Sequence, residues 1–390
     1  MLRAHLDHLV TQILVKAPDI SDILFVVGKP VQAEVHGVLT DIQTTLTENA
    51  LVPYQVQSIS YAMMGHNSHL YEDLCSRGSC DLSYDLPGKA RFRVNIFFQR
   101  GSTSIVMRKL PTKISTLEDL KLPPLFQQMA KEKYGLILVT GSTGTGKSTT
   151  LAALIDTINA SSFKHILTLE DPVEFVHAHK KGTVNQRELG TDFDAFSSGL
   201  RAALRQAPKV ILVGEIRDRE TIDIALQAAE TGHLVLGTLH TSDTGQTIHR
   251  ITGMFELVEE RLIRQRLAQG LKYVVSQRLM PKIGGGRVAA LEMLANNLRI
   301  RELILGGESG EKTFYNVVES GEAYGMFTFD QHLTRLYEEG MITQETAMSF
   351  ASDRSRLGRA INRIKIQRGE KVTDIQGLEL DFEYGKHSDN

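Results

Sequence analysis

Residues Gly141-Ser142-Thr143-Gly144-Thr145-Gly146-Lys147-Ser148 satisfy the pattern G-x-x-x-x-G-K-[ST] at all eight positions. The flanks agree. Residues 136–140 are a short apolar run of the kind that forms a buried strand, and residues 149–158 carry apolar side chains at helical spacing. Strand, glycine-rich loop and helix is the order that phosphate binding needs. Glycines let backbone N–H groups turn inward on phosphate oxygens, and a helix N-terminus adds favourable partial charge. In such a loop Lys147 reaches the β- and γ-phosphates of ATP, the Ser148 hydroxyl sits on Mg²⁺, and Thr149 opens the helix beside the nucleotide. A chance glycine-rich turn is the alternative, and the flanking pattern weighs against it.

An ATPase needs more than this loop: a carboxylate near Mg²⁺, and a group that orients or deprotonates the attacking water. Two acidic clusters follow apolar strand-like runs. One is Glu170-Asp171-Pro172-Val173-Glu174, and the other is Glu215 after residues 210–214. Ligands of a doubly wound sheet bind beyond the carboxyl ends of its strands, so both clusters fall where a nucleotide would lie. Taken singly, each carboxylate could equally be a helix-terminal charge or a surface ion pair. His233 and His240 bracket a further apolar run. They could sense phosphate, bond across a subunit interface, act as acid or base, or sit satisfied in the core. Of the arginines, Arg93, Arg100 and Arg108 lie on or beside a hairpin pattern, and Arg205, Arg217 and Arg219 flank the second cluster. A guanidinium suits developing phosphate charge, but composition does not choose among them.

With 390 residues the chain has room for about two or three domains. Residues 1–110 read as an α+β unit. Leu6, Leu9, Ile13 and Leu14 mark an amphipathic helix ended by Pro18, strands are expected at 23–27 and 31–35, and a hairpin at 90–97 and 104–108. In that hairpin Phe92, Val94 and Ile96 share one face and Arg91 and Arg93 the other. Residues 111–124, with three prolines, read as an interdomain linker. Residues 125–283 alternate strand and helix, with strands expected at 136–140, 165–170, 209–214 and 233–239, which implies a mostly parallel α/β sheet. Gly284-Gly285-Gly286 is read as a break, residues 284–376 as mainly helical, and residues 377–390 as an acidic flexible tail. A net charge of -2 gives no basic footprint for nucleic acid, and no apolar run is long enough to span a bilayer. The N-terminus carries no signal-peptide pattern. Cys75 and Cys80 fit a reducing compartment and cannot form a four-cysteine zinc site.

The order of these motifs resembles the secretion-superfamily ATPases that power type II secretion, type IV pili and type IV secretion. The motifs are the phosphate loop at 141–148, Glu170–Glu174, Val213-Gly214-Glu215-Ile216-Arg217-Asp218, and Thr231–Thr241. Within that superfamily the chain is most similar to the pilus-retraction PilT/PilU group, through Arg91-Phe92-Arg93-Val94, residues 168–177, Asn185-Gln186-Arg187-Glu188 and Leu204-Arg205-Gln206. Residues 204–208, 217–221, 326–331 and 377–380 resemble PilU. Residues 300–304 only partly match the C-terminal helix motif of PilT. No cysteine follows Cys80, unlike extension and secretion ATPases with their four-cysteine zinc element.

The resemblance implies a PAS-like N-terminal α+β domain, then a RecA-like ATPase domain with a helical C-terminal part, assembled as a homo-hexamer. Glu174 becomes the general base, and Glu215 holds Mg²⁺ directly or through water. His233 and His240 sit near the nucleotide and subunit interface. Arg93 and Arg108 reach the γ-phosphate from a neighbouring subunit or across the domain gap, and residues 111–124 act as the hinge. Implied partners are a PilC-like inner-membrane platform protein and, for an accessory role, a second PilT-like motor; nucleic acid is not among them. The implied location is the cytoplasmic face of the inner membrane, without a transmembrane segment. An extension or type II secretion ATPase, and a low-activity regulatory subunit of a mixed motor, are the alternatives.

Overall fold

The computed structural model describes residues 1–46, 49–111 and 113–370, and the tail expected at 377–390 lies outside them. Two sheets organise the chain. The first holds β1 (Ile20–Phe25), β2 (Gln32–Val35), β3 (Val38–Asp41), β4 (Ser79–Leu86), β5 (Ala90–Gln99) and β6 (Ser102–Leu110) in the order β3-β2-β1-β6-β5-β4. Every pairing in it is antiparallel. The helices Arg3–Lys16 and Pro53–Met64 cover its apolar face, burying Leu6, Val10, Ile13, Val56 and Ile59 against Phe92, Val94 and Ile96. Alternation along β5 therefore leaves Arg91 and Arg93 on the opposite face, which turns toward the second sheet.

That sheet holds β7 (Gly135–Thr140), β8 (His165–Glu170), β9 (Thr183–Glu188), β10 (Val210–Val213), β11 (Leu234–Leu239), β12 (Leu271–Pro281) and β13 (Arg287–Ala295). Their order is β13-β12-β7-β11-β10-β8-β9, parallel throughout except for the antiparallel edge strand β13. Every residue of β7, β10 and β11 is buried. Helices on both faces explain why these strands read as unbroken apolar runs rather than as alternation.

One expectation for this part needs correction. Gly284, Gly285 and Gly286 all have positive φ and form the turn of the β12–β13 hairpin, so the sheet continues through Ala295 instead of ending near residue 283. Beyond it the chain is helical, and Phe329, Leu333, Leu336, Leu357 and Ile361 pack on Met280 and Ala290 of that hairpin. Among the described residues, no helix is long and apolar enough to cross a membrane. Cys75 and Cys80 are not joined; Cys80 is buried with its Sγ 3.9 Å from Met64 Sδ.

Candidate active site

The parallel strands end at a cavity of about 690 Å³ between the two sheets. The phosphate loop enters it from the end of β7. Gly141, Gly144 and Gly146 have φ of 145°, 80° and 89°, values that L side chains rarely adopt. Space imposes the same choice at Gly141, where a Cβ would lie 2.4 Å from the Gln277 carbonyl oxygen. Lys147 opens the following helix, and its ammonium donates to the carbonyls of Gly141 (2.8 Å) and Ser142 (2.9 Å). Burial lowers the Lys147 pKa below the usual lysine value, while Glu215 and Glu174 act in the opposite direction. Both carboxylates are thus close enough to feel the ammonium.

Thr143, Gly144, Gly146, Lys147, Ser148 and Thr149 line the cavity, and Ser142 and Thr145 complete the loop, with Thr145 Oγ1 donating to Ser142 O (2.9 Å). Glu215 follows β10. Its Oε2 accepts from Arg217 Nη2 (2.7 Å), and its Oε1 lies 3.3 Å from His240 Nε2. The Arg217 hydrogen bond lowers its pKa, so the carboxylate is ionised at neutral pH. Glu170 and Glu174 lie in or just beyond the end of β8. Burial pushes the Glu170 carboxyl up to about 7 despite bonds from Thr168 Oγ1 (2.6 Å) and Gln186 Nε2 (3.1 Å). Glu170 therefore keeps its proton to higher pH than an ordinary carboxyl does, in the same cavity as Glu174.

From the first sheet, Arg93 and Arg108 face each other across β5 and β6 and line the same cavity. Arg108 is braced by Asp22 (2.9 Å). Within one chain these arginines share the cavity with the phosphate loop, the arrangement across the domain gap that was one of the two expected. Of the other arginines considered, Arg217 lines the cavity; Arg219 pairs with Glu259, and Arg205 donates to the Arg201 carbonyl.

The structure separates the two histidines. His233 precedes β11, whereas His240 follows it, and a strand of six residues separates them by about 20 Å. His240 is in the cavity. His233 is at the opposite edge of the sheet, where its Nδ1 lies 3.0 Å from the Ala228 carbonyl oxygen.

Some residues of the site were not singled out in the sequence. Gln277 on β12 is buried under the loop; its Nε2 donates to Thr145 O (2.7 Å) and its Oε1 accepts from Thr150 Oγ1 (2.9 Å). The pair Ser276-Gln277 inside an apolar strand was the available clue. Arg287, opening β13, adds a cation at the cavity wall. His177 also lines it. Burial lowers its pKa to about 4, so it is neutral, and its Nδ1 has no partner among the described residues.

Ser148 and Glu215 are hard oxygen donors in one cavity, and no group of three or more His, Cys, Asp or Glu side chains forms a metal cage among the described residues. That donor set fits Mg²⁺, which takes one or two carboxylates and completes its shell with phosphates and water.

A phosphate loop at the carboxyl end of a central parallel strand, with acids from the ends of two other strands, defines a nucleotide-hydrolysing RecA-like core. The chain belongs to the type II/IV secretion system protein family, whose model matches residues 6–360. It is 44% identical to the type IV pilus retraction ATPase PilT of Pseudomonas aeruginosa over 331 residues, 85% of this chain and 94% of that protein. It is 38% identical to the type IV pilus ATPase PilU of the same organism over 364 residues, 93% of each chain. The crystal structure of the pilus retraction motor PilT with bound ADP superposes with a TM-score of 0.80 at 42% identity, covering 90% of this chain and 99% of that one.

Proposed function

We propose that this chain is the ATPase motor of type IV pilus retraction, driving pilus disassembly and twitching motility. The observation that carries this reading is a single cavity uniting the phosphate loop, Glu170, Glu174 and Glu215 from two strand ends, and Arg93 and Arg108 from the N-terminal hairpin. Relatives named for retraction or twitching match over most of the chain. By contrast, the type II secretion system protein E of Pseudomonas aeruginosa matches over 131 residues, 33% of the chain.

In this reading the loop N–H groups and Lys147 hold the β- and γ-phosphates of ATP. Glu174 orients water and takes its proton for in-line attack, and Arg93 and Arg108 stabilise charge on the transferred phosphoryl group. Ser148 and Glu215 would hold Mg²⁺, which when bound neutralises phosphate charge. Arg217 and His240 keep the Glu215 carboxylate oriented and ionised. The two sheets close on ATP and reopen after hydrolysis, with residues 111–124 as the hinge. A hexameric ring of such subunits, on the cytoplasmic face of the inner membrane, would act on a PilC-like platform protein.

The test is a deletion strain. Excess surface pili with lost twitching are expected, restored by the intact gene and not by Lys147→Ala. A strain short of pili would instead point to the extension reading. The alignment with PilU, which runs through more of the chain than that with PilT, favours a second reading as an accessory motor. Retraction in cells carrying this motor alone, compared with cells that also carry a PilT-like one, separates the two.

A further inference from the structure

The edge strand β9 holds the loop that carries Glu174. Gln186 and Glu188, two residues apart, share one face of this strand. Gln186 Nε2 donates to Glu170 Oε1 (3.1 Å) and to the Phe175 carbonyl (2.8 Å), while its Oε1 accepts from the His177 N–H (2.8 Å). Glu188 Oε2 accepts from the Val173 N–H (3.2 Å), the residue just before Glu174. The loop is thereby pinned at Glu170, Val173, Phe175 and His177, and Glu174 lies between the pins.

Glu188 makes a second set of contacts, with the other sheet. The same Oε2 accepts from Ser83 Oγ on β4 (2.8 Å) and from Arg91 Nη2 on β5 (2.6 Å). Arg91 also donates through Nε to the Val173 carbonyl (3.2 Å). The side chains of Glu188 and Arg91 are 9% and 20% exposed, so this ion pair is largely withdrawn from water. A buried carboxylate is strongly held only while its donors are present, and removing one partner leaves an uncompensated charge. Arg91 and Arg93 lie on the same face of β5, about 7 Å apart along the strand. Docking Arg91 on Glu188 therefore also fixes where Arg93, and Arg108 opposite it, meet the cavity.

We propose that Glu188 and Arg91 are positioning residues that make the geometry of Glu174 conditional on the seating of the N-terminal sheet. One carboxylate oxygen bonds both the backbone that aims Glu174 and the hairpin that brings the phosphate arginines. When the hairpin departs, Val173 loses its bond from Arg91, and Glu188 is left as a poorly compensated anion beside the Val173 amide. Water activation is then available only when the two sheets are closed on the nucleotide. ATP is thus protected from hydrolysis in the open state. This inference rests on the assignment of Glu174 as the base.

The test uses the full-length chain with Glu188→Gln, Arg91→Ala and Arg91→Lys, plus Ser83→Ala as a mild variant that removes one donor and leaves the ion pair. Steady-state ATPase rates are compared with affinity for a fluorescent ADP analogue, and with hydrogen exchange of the peptide spanning residues 171–177. Glu188→Gln and Arg91→Ala should each lower kcat at least tenfold while the ADP-analogue Kd changes less than threefold. Both should raise early deuterium uptake of that peptide at least twofold, although Arg91 belongs to the other sheet. The double variant should be no slower than the worse single one. Arg91→Lys, which keeps the charge but lacks the guanidinium fork that reaches Glu188 and Val173 through two nitrogens, should fall between wild type and Arg91→Ala, and Ser83→Ala should lower kcat about twofold. Unchanged exchange at residues 171–177 in Arg91→Ala, or multiplicative losses in the double variant, overturns the coupling. If the larger substitutions prevent folding, Ser83→Ala and Arg91→Lys decide it, and wild-type kcat and exchange in both reject it. A wild-type chain that binds the analogue but hydrolyses no ATP would reject the motor reading, while the exchange measurements would still decide whether the sheets are coupled through Glu188.

Discussion

At the scale of single residues, two glutamates four positions apart line the cavity, and burial raises the pKa of one of them, Glu170. Glu174 is the one beside Lys147 that is assigned to water. Glu174→Gln should keep nucleotide binding within a few-fold and reduce turnover by about 10²–10⁴, the range for losing a general base; brisk hydrolysis by that variant would reject the assignment. Glu170 carries a different consequence. Its folded pKa of about 7 lies above the ordinary value of 4.5, so between these pH values the fold retains a proton that the unfolded chain has released. Its contribution is therefore favourable below pH 4.5 and is lost as pH rises through about 7, with an upper bound of about 3 kcal/mol. Glu170→Gln should raise Tm relative to wild type by a few degrees more at pH 8 than at pH 5, read by thermal denaturation at both pH values. An equal Tm difference at both would show that Glu170 does not hold that proton. His233 shows how residue identity can mislead: a histidine motif was readable, but a strand's two ends lie at opposite edges of the sheet, and only His240 reaches the site.

At the scale of elements, the phosphate loop depends on its neighbour β12 as much as on its own glycines. Gln277 fills the space beneath it, bonded to Thr145 and Thr150. Gly141→Ala would place a methyl 2.4 Å from the Gln277 carbonyl oxygen at a φ of 145°. The expected loss is about 2–5 kcal/mol of stability, from backbone strain and overpacking, together with nucleotide binding. Calorimetry with ADP checks both, and tight ADP binding by a stable variant would contradict the packing argument. The strands β7, β8, β10 and β11 were readable because burial on both faces makes them nearly continuous apolar runs. Strand β9 was not, since Thr183–Glu188 is an edge with only Val184 and Glu188 buried. Its polar residues serve the loop beside it, and such contacts leave no periodic trace. In β12 and β13 the triple glycine looked like a boundary, because a hairpin turn and a domain break use the same residue.

At the scale of the whole molecule, the site is shared between two sheets of one chain. Arg93 and Arg108 come from the first, the phosphate loop from the second, and the Arg91–Glu188 pair joins them. The hairpin and its arginine pair were readable from alternation alone; which chain's nucleotide they face was not, because sequence carries no distance between domains. The consequence concerns any ring these subunits form. A subunit with Lys147→Ala lacks its phosphate grip, and one with Arg108→Ala lacks a cavity arginine. If the arginines served a neighbour, mixing the two variants would create intact sites wherever an Arg108-bearing subunit flanked a Lys147-bearing one. With both parts in one chain, no mixed ring contains a complete site. Titrating Lys147→Ala against Arg108→Ala should therefore give ATPase rates no higher than the weighted mean of the separate variants at every ratio. A maximum at intermediate ratios would show that the N-terminal sheet is exchanged between neighbours, and would move the Arg91–Glu188 contact to a subunit boundary as well.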